Sequence, residues 1–233
     1  MPNNIHQLSE LKFGLIDYWR MFKARGIWLP VNYFRHAHLF DLRYKTNTHT
    51  WLPKDNFEEK PDNFEHGFMY MCSWTNEIQN SFKIVKSLLA TDFDDYSFVD
   101  IGCGKGKVVI VWKQECLREG KQQAVYGIDF YQPLIAIAKK NYSKVFNEEG
   151  MFLLRDATQT EFNEFGKKII VYLYNPFDEI ILKQVMERLR DHPSIIIYNN
   201  PVHAQVIIDS GYKILYEHKG PHPNAETTIL SNL

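Results

Sequence analysis

Ser97-Phe98-Val99-Asp100-Ile101-Gly102-Cys103-Gly104-Lys105-Gly106-Lys107 decides how this chain is read. A short apolar run ends in an aspartate, and glycines follow at alternate positions. The next segment, Val108 to Leu117, has one apolar face at helical spacing. Strand, glycine turn and helix in that order open a nucleoside-binding α/β unit. Such a turn uses glycine because its backbone reaches φ values other residues avoid, and because a ligand lies against bare backbone.

Downstream the alternation is regular. Ala124-Val125-Tyr126-Gly127-Ile128 predicts a strand ending at Asp129, and Pro133 starts a helix running through Leu134, Ile135, Ile137, Ala138, Tyr142 and Val145. Met151 to Leu154 is a short strand reaching Asp156. Ile169 to Tyr174 is a fully apolar strand running into Asn175-Pro176-Phe177. A helix near Glu179 to Arg190, a strand from Ser194 to Tyr198 and a short helix near His203 to Asp209 follow. Strands near Tyr212 to Glu217 and Thr227 to Leu230 close the chain. Near-continuous apolar strands between amphipathic helices imply a parallel sheet covered on both faces. Two final strands with no helix between them run antiparallel. The expected fold class is α/β, a doubly wound, mostly parallel seven-stranded sheet with an antiparallel last strand, preceded by a helical extension. Ligands of such sheets bind beyond the carboxyl ends of the strands. Asp100, Asp129, Asp156 and Asn175 all stand at such ends.

Upstream, Thr91-Asp92-Phe93-Asp94-Asp95 breaks the pattern. It divides residues 1–92, an aromatic-rich helical and irregular lid on the substrate side, from residues 93–233, the nucleoside-binding domain. Ile5 to Lys23 places apolar residues at helical spacing and predicts an amphipathic helix packed on the main domain, with a partner- or membrane-binding helix as the alternative. From Ile27 to Pro61 no period is visible, and Asp55 to Asp62 reads as an exposed loop. His36 and His38 would share one side of a strand, but without acidic or cysteine partners nearby no metal site is expected. Phe68 to Trp74 leads into a helix from Thr75 to Leu89. Tyr44, Tyr70 and Trp74 belong to the lid, and Tyr70 and Trp74 either wall the ligand pocket or pack as core.

The 233 residues are 45% hydrophobic and 24% charged with net charge -1, so no electrostatic footprint marks a nucleic-acid partner. Cys72, Cys103 and Cys116 are too few and too far apart for a disulfide framework or a zinc site. Without a signal pattern or a bilayer-length apolar run, the expected location is cytoplasmic and no membrane partner is expected.

Lys107 follows Gly106 where the dinucleotide fingerprint is not completed, and Gly106-Lys107-Val108 lacks the hydroxyl of a phosphate loop. Asp-x-Gly-x-Gly-x-Gly instead resembles motif I of the class I S-adenosylmethionine-dependent methyltransferases. The resemblance implies S-adenosyl-L-methionine as cofactor, held by Asp100, Gly102, Cys103, Gly104, Gly106, Asp129, Phe130, Asp156, Ala157 and Asn175. Asp100 would lie near the cofactor ammonium, Asp129 on the ribose hydroxyls, and Asp156-Ala157 on the adenine. Local capping is the other reading of Asp129 and Asp156.

Asn175-Pro176-Phe177 resembles, one proline short, the motif by which amino-group methyltransferases hold the attacking nitrogen. That implies catalytic roles for Asn175, Pro176 and Phe177; the alternative is a turn with Asn175 as helix cap. Asn199 or Asn200 would line the substrate pocket. With Phe40-Asp41-x-Arg43-Tyr44 and Asn200-Pro201-Val202-His203, these motifs are similar to those of a bacterial group of class I methyltransferases. The implied activity is methyl transfer, with an amino or amide nitrogen of a small molecule or protein side chain as acceptor. The alternatives are a catalytically silent module of the same fold acting through a protein partner and, disfavoured by Lys107, an NAD(P) enzyme. Alignment of nucleophile and methyl group does most of the work in such transfers, so no catalytic triad is required.

Overall fold

The computed structural model describes residues 10–57, 60 and 63–233. Strand β1 (Ser97–Ile101) pairs in parallel with β2 (Val125–Asp129) and β4 (Ile169–Tyr174). β3 (Met151–Leu154) extends one edge beside β2, and β5 (Ser194–Asn199) lies beside β4. β7 (Thr227–Ser231) then inserts antiparallel between β5 and β6 (Lys213–His218). The order β3-β2-β1-β4-β5-β7-β6 is that of a Rossmann-like methyltransferase fold, as the sequence predicts.

Alternation along the strands sorts side chains into two cores. Phe98, Tyr172, Ile195 and Ile197 face α4 (Thr75–Leu89), α5 (Lys107–Arg118) and α6 (Gln132–Phe146). Val99, Ile101, Val171, Leu173 and Ile196 face α7 (Glu179–Leu189) and α8 (Ala204–Asp209). The buried Trp112 ring stacks on Phe98 at 4.0 Å and its Nε1–H donates to Gln123 Oε1 at 2.9 Å, which locks α5 to β1. Strand order reverses between β1 and β4, so the glycine turn and Asn175 open on the same switch point.

The N-terminal segment departs from expectation. Among the described residues the first helix, α1 (Leu15–Arg25), begins after Gly14, and Leu11, expected within that helix, instead pairs with Trp51 in a short bridge. Ile5 and Leu8 lie outside the described residues. Residues read as irregular form α2 (Trp28–Tyr33), a π-helical turn (Phe34–His38) and α3 (Leu39–Tyr44). Leu29, Tyr33, Ala37 and Phe40 recur at helical spacing and are buried. That stripe is hidden in the sequence because Trp28, Val31, Phe34, Leu39 and Leu42, on other faces, are just as apolar and stay exposed. His36 and His38 therefore diverge around a helical turn and do not share a strand face. In the stretch read as a loop, Lys54–Asn56 makes one 3₁₀ turn and Phe57 is buried; residues 58, 59, 61 and 62 are outside the description.

This segment is held to the glycine turn by a buried ammonium. Lys105 is fully buried, with Nζ 2.8 Å from Glu10 Oε1 and 3.0 Å from the Thr50 carbonyl that accepts its proton, and it sits over the Tyr70 ring. The Tyr70 ring in turn occupies the space of a missing side chain: a Cβ at Gly104 (φ +51°) would lie 2.1 Å from it. Glycine at 104 is thus required by this contact as well as by its left-handed backbone.

Removing one partner of a buried ion pair leaves an uncompensated charge. Glu10→Ala is expected to destabilise the chain by about 3 kcal/mol in urea unfolding, whereas Glu10→Ala with Lys105→Met recovers most of that loss. Equal losses in both variants would show that Lys105 does not anchor the segment.

Candidate functional site

Beyond the ends of β1, β2 and β4 lies a cavity of about 260 Å³. β1 delivers Asp100 to its wall. The carboxylate is buried, and Oδ2 has no hydrogen-bond partner among the described residues. Burial, reinforced by the neighbouring Asp129, pushes its pKa well above the usual carboxylate range. Asp129 ends β2 and is also buried. Its Oδ2 accepts from the Gly104 N–H at 2.8 Å and its Oδ1 from the Tyr131 N–H at 2.9 Å. Burial still outweighs these bonds and pushes its pKa up to about 6.

The turn between them is packed from three sides. A Cβ at Gly102 would meet Pro176 Cβ at 2.8 Å, and one at Gly106 would meet the Phe152 ring at 2.9 Å. Gly102 and Cys103 line the cavity, while Gly104 and Gly106 shape the turn from behind. Phe130, Leu134 and Phe57 form an apolar wall near Asp129. Asp156 and Ala157 line the same end. Asp156 also caps locally: Oδ1 accepts from the Thr158 N–H at 2.8 Å, and Oδ2 accepts from Asn63 Nδ2 at 2.9 Å.

Asn175, Pro176 and Phe177 line the opposite wall. Asn175 sits at φ +41° and does not cap the following helix; Asp178 does, accepting from the Ile180 and Ile181 N–H groups. Asn175 Oδ1 accepts from the Tyr198 hydroxyl at 2.9 Å, and the Pro176 carbonyl accepts from the Phe68 N–H at 3.1 Å. Burial raises the Tyr198 pKa to about 12, so its hydroxyl keeps its proton and fixes the orientation of the Asn175 amide. His66 Nδ1 lies 2.7 Å from Asp178 Oδ2, which ties the segment over the cavity to the start of α7.

Of the substrate residues read from sequence, Tyr70 and Asn200 line the cavity. Trp74 and Asn199 are placed elsewhere. Trp74 is buried beside Leu29 and Ala225, its ring stacked on His222 at 5.7 Å. Asn199 Nδ2 is spent on the Asn224 and Glu226 carbonyls at 3.2 and 2.7 Å, joining β5 to the turn before β7.

Lys107 is the residue whose part in the site sequence reading missed. It is almost fully buried on the cavity wall, and no carboxylate lies within ion-pair distance of it among the described residues. Its Nζ donates to the His36 carbonyl, sits 4.0 Å from Cys72 Sγ and lies over the Phe40 ring. Burial lowers its pKa, partly offset by Cys72 and Asp41. The only sequence signal was its place directly after Gly106. The Tyr174 hydroxyl, on a residue lining the same wall, is likewise buried without a partner among the described residues. One cavity wall thus presents an unsatisfied acceptor at Asp100 Oδ2, an unpartnered hydroxyl at Tyr174 and the Lys107 ammonium, which is satisfied by the His36 carbonyl and not by an acid.

Residues 92–206 match the family model described as a methyltransferase domain. The matched segment runs from the approach to β1 into α8 and contains Asp100, Asp129, Asp156, Asn175 and Asn200. No curated protein matches the chain. Among solved structures it is similar to the magnesium protoporphyrin IX methyltransferase of Synechocystis PCC 6803 with bound SAM, at 18% identity over 67% of this chain and 79% of that chain, TM-score 0.49. It is also similar to the ribosomal protein L11 methylase of Lactobacillus delbrueckii subsp. bulgaricus, at 13% identity over 65% of this chain and 76% of that chain, TM-score 0.42.

An acid whose pKa is raised by folding binds its proton more tightly in the native state, so its contribution to stability falls as pH rises above the unfolded value. Asp100 and Asp129 both have this sign. Asp100→Asn, which mimics the protonated acid, is expected to stabilise the ligand-free chain at pH 7 by about 1–2 kcal/mol. The gain should shrink toward pH 4. Thermal unfolding across that range checks it; a variant less stable than wild type at pH 7 would refute the burial argument.

Proposed function

We propose that the chain transfers a methyl group from S-adenosyl-L-methionine to an amino nitrogen of an acceptor held against Asn175. The observation carrying this reading is the buried Asp100 carboxylate at the carboxyl end of β1, whose Oδ2 has no partner among the described residues and faces a cavity also lined by Lys107, a lysine with no carboxylate within ion-pair distance among them. A zwitterionic amino acid tail satisfies both charges at once: Asp100 meets the ammonium and Lys107 the carboxylate. Asp129 keeps free lone pairs for ribose hydroxyls, and Phe130, Leu134 and Phe57 offer an apolar wall to the adenine. When bound, S-adenosyl-L-methionine supplies an electrophilic methyl group on a sulfonium.

The remaining chemistry belongs to the chain. Asn175 Oδ1 and the Pro176 carbonyl each hold one proton donor already and retain a second lone pair. These oxygens accept N–H bonds from an acceptor amine and aim its nitrogen. No histidine lines the cavity among the described residues, which suits an amine made neutral by burial better than a hydroxyl that needs a strong base. The segment Phe68 to Ser73, laid across the glycine turn, excludes water from the reacting centre. On this reading residues 1–92 supply the lid on the substrate side.

Two experiments test the reading. In calorimetry, Lys107→Met should weaken S-adenosylhomocysteine binding roughly tenfold while leaving 5′-methylthioadenosine, which lacks the amino acid tail, unchanged. Equal effects on both ligands would remove Lys107 from the carboxylate. With labelled cofactor and fractionated small-molecule extract, wild-type chain should label an amine. Asn175→Ala should lower that turnover by about 100-fold with little change in S-adenosylhomocysteine affinity; an unaltered rate would leave Asn175 no catalytic part.

A further inference from the structure

Helix α1 is amphipathic, as its sequence predicts, but it packs with the apolar stripe outward. Leu15, Ile16, Trp19 and Phe22 are 91%, 58%, 52% and 41% exposed, and no residue of the helix is fully buried. At 100° per residue these four side chains fall within an arc of about 120°. The inward side is made by Tyr18, whose ring lies 6.3 Å from Tyr33 and 5.7 Å from His38, and by Met21, beside Leu29 and Trp74. The exposure extends beyond α1. Eleven of the 21 exposed large hydrophobic residues among those described fall between Leu11 and Leu42, so exposed apolar surface is concentrated in this segment rather than scattered along the chain.

The charge around the patch says what it meets. Residues 11–45 carry seven Lys and Arg against two acids, Asp17 and Asp41, although the whole chain is net -1. Asp41 is buried and held by Thr48 and His49. Lys23 lies over the Trp19 ring at 5.3 Å, inside the apolar arc, and Arg20 stands at its edge, close to Asp17. A second copy docking the same face on itself would bring these cations against their own counterparts. An anionic bilayer offers both complements: headgroups for the lysines and arginines, and an acyl boundary for Trp19, Phe22, Leu15 and Ile16. Among the described residues no helix is long and apolar enough to cross a membrane, but lying on one requires a single exposed apolar face.

We propose that α1 and its flanking cations form a docking surface for anionic lipid bilayers. The full chain should co-sediment with vesicles of phosphatidylcholine and phosphatidylglycerol at low salt, release as salt rises, and stay in solution with phosphatidylcholine alone. Trp19 fluorescence should shift to the blue on binding. Trp19→Glu with Phe22→Glu should reduce binding roughly tenfold or more, and Lys23→Glu should weaken it and flatten the salt dependence. Both variants should stay folded, with melting temperatures near that of wild type, since none of the replaced side chains belongs to the buried core. The proposal is overturned if wild-type chain ignores anionic vesicles, or if folded variants bind them as well as wild type does. It is equally overturned if sedimentation equilibrium shows a dimer that Trp19→Glu splits while vesicle binding is absent.

Discussion

The structure depends on how a glycine turn is packed. Three left-handed residues in alternation leave no room for side chains, and each vacated position is filled by another element: Pro176 at Gly102, Tyr70 at Gly104, Phe152 at Gly106. Through these contacts the turn fixes the end of β4, the N-terminal segment and β3 at once. Lys105, placed between the last two glycines, adds an ammonium that Glu10 neutralises and that Thr50 and the Tyr70 ring receive in place of water. The close approach commonly attributed to a ligand is, at Gly104, an approach by the protein itself.

Much of this was legible because the core obeys simple periods. β4 and β5 are uninterrupted apolar runs bounded by polar turns, and the four strand-end residues fall where an α/β sheet exposes them. The N-terminal third was not legible for a physical reason. Leu29, Tyr33, Ala37 and Phe40 make a good helical stripe, but the chain is apolar on its other faces too, so the stripe has no contrast. For α1 the stripe is clear, but period alone does not say which way it turns, and it faces outward. Within the site, Asp100, Asp129, Asp156 and Asn175 were found from strand ends. Trp74 and Asn199 were selected by residue type, and their partners across the fold take them elsewhere. Lys107 escaped notice because its burial depends on Phe40, Cys72 and the His36 carbonyl, all distant in sequence.

The cavity is electrostatically costly by design of its surroundings. Two buried carboxylates, Asp100 and Asp129, stand close enough to raise one another's cost, and Lys107 lines the same cavity with no carboxylate in ion-pair distance among the described residues. Such groups destabilise the ligand-free fold, and the trade of stability for a preorganised site is general. Order around them is restored by neutral donors: the Gly104 and Tyr131 amides at Asp129, and the Tyr198 hydroxyl at Asn175.

One carbonyl connects this cavity to the helical run behind it. His36 lies in the π-helical turn, and its oxygen accepts from both Thr75 Oγ1 at 3.0 Å and Lys107 Nζ. An α-helical amide seeking that oxygen would compete with Thr75 and Lys107 for its two lone pairs. Free energy gained by an anion at Lys107 is then also free energy bearing on the winding of residues 34–38. By linkage, any coupling between that winding and binding at Lys107 acts by the same factor in both directions.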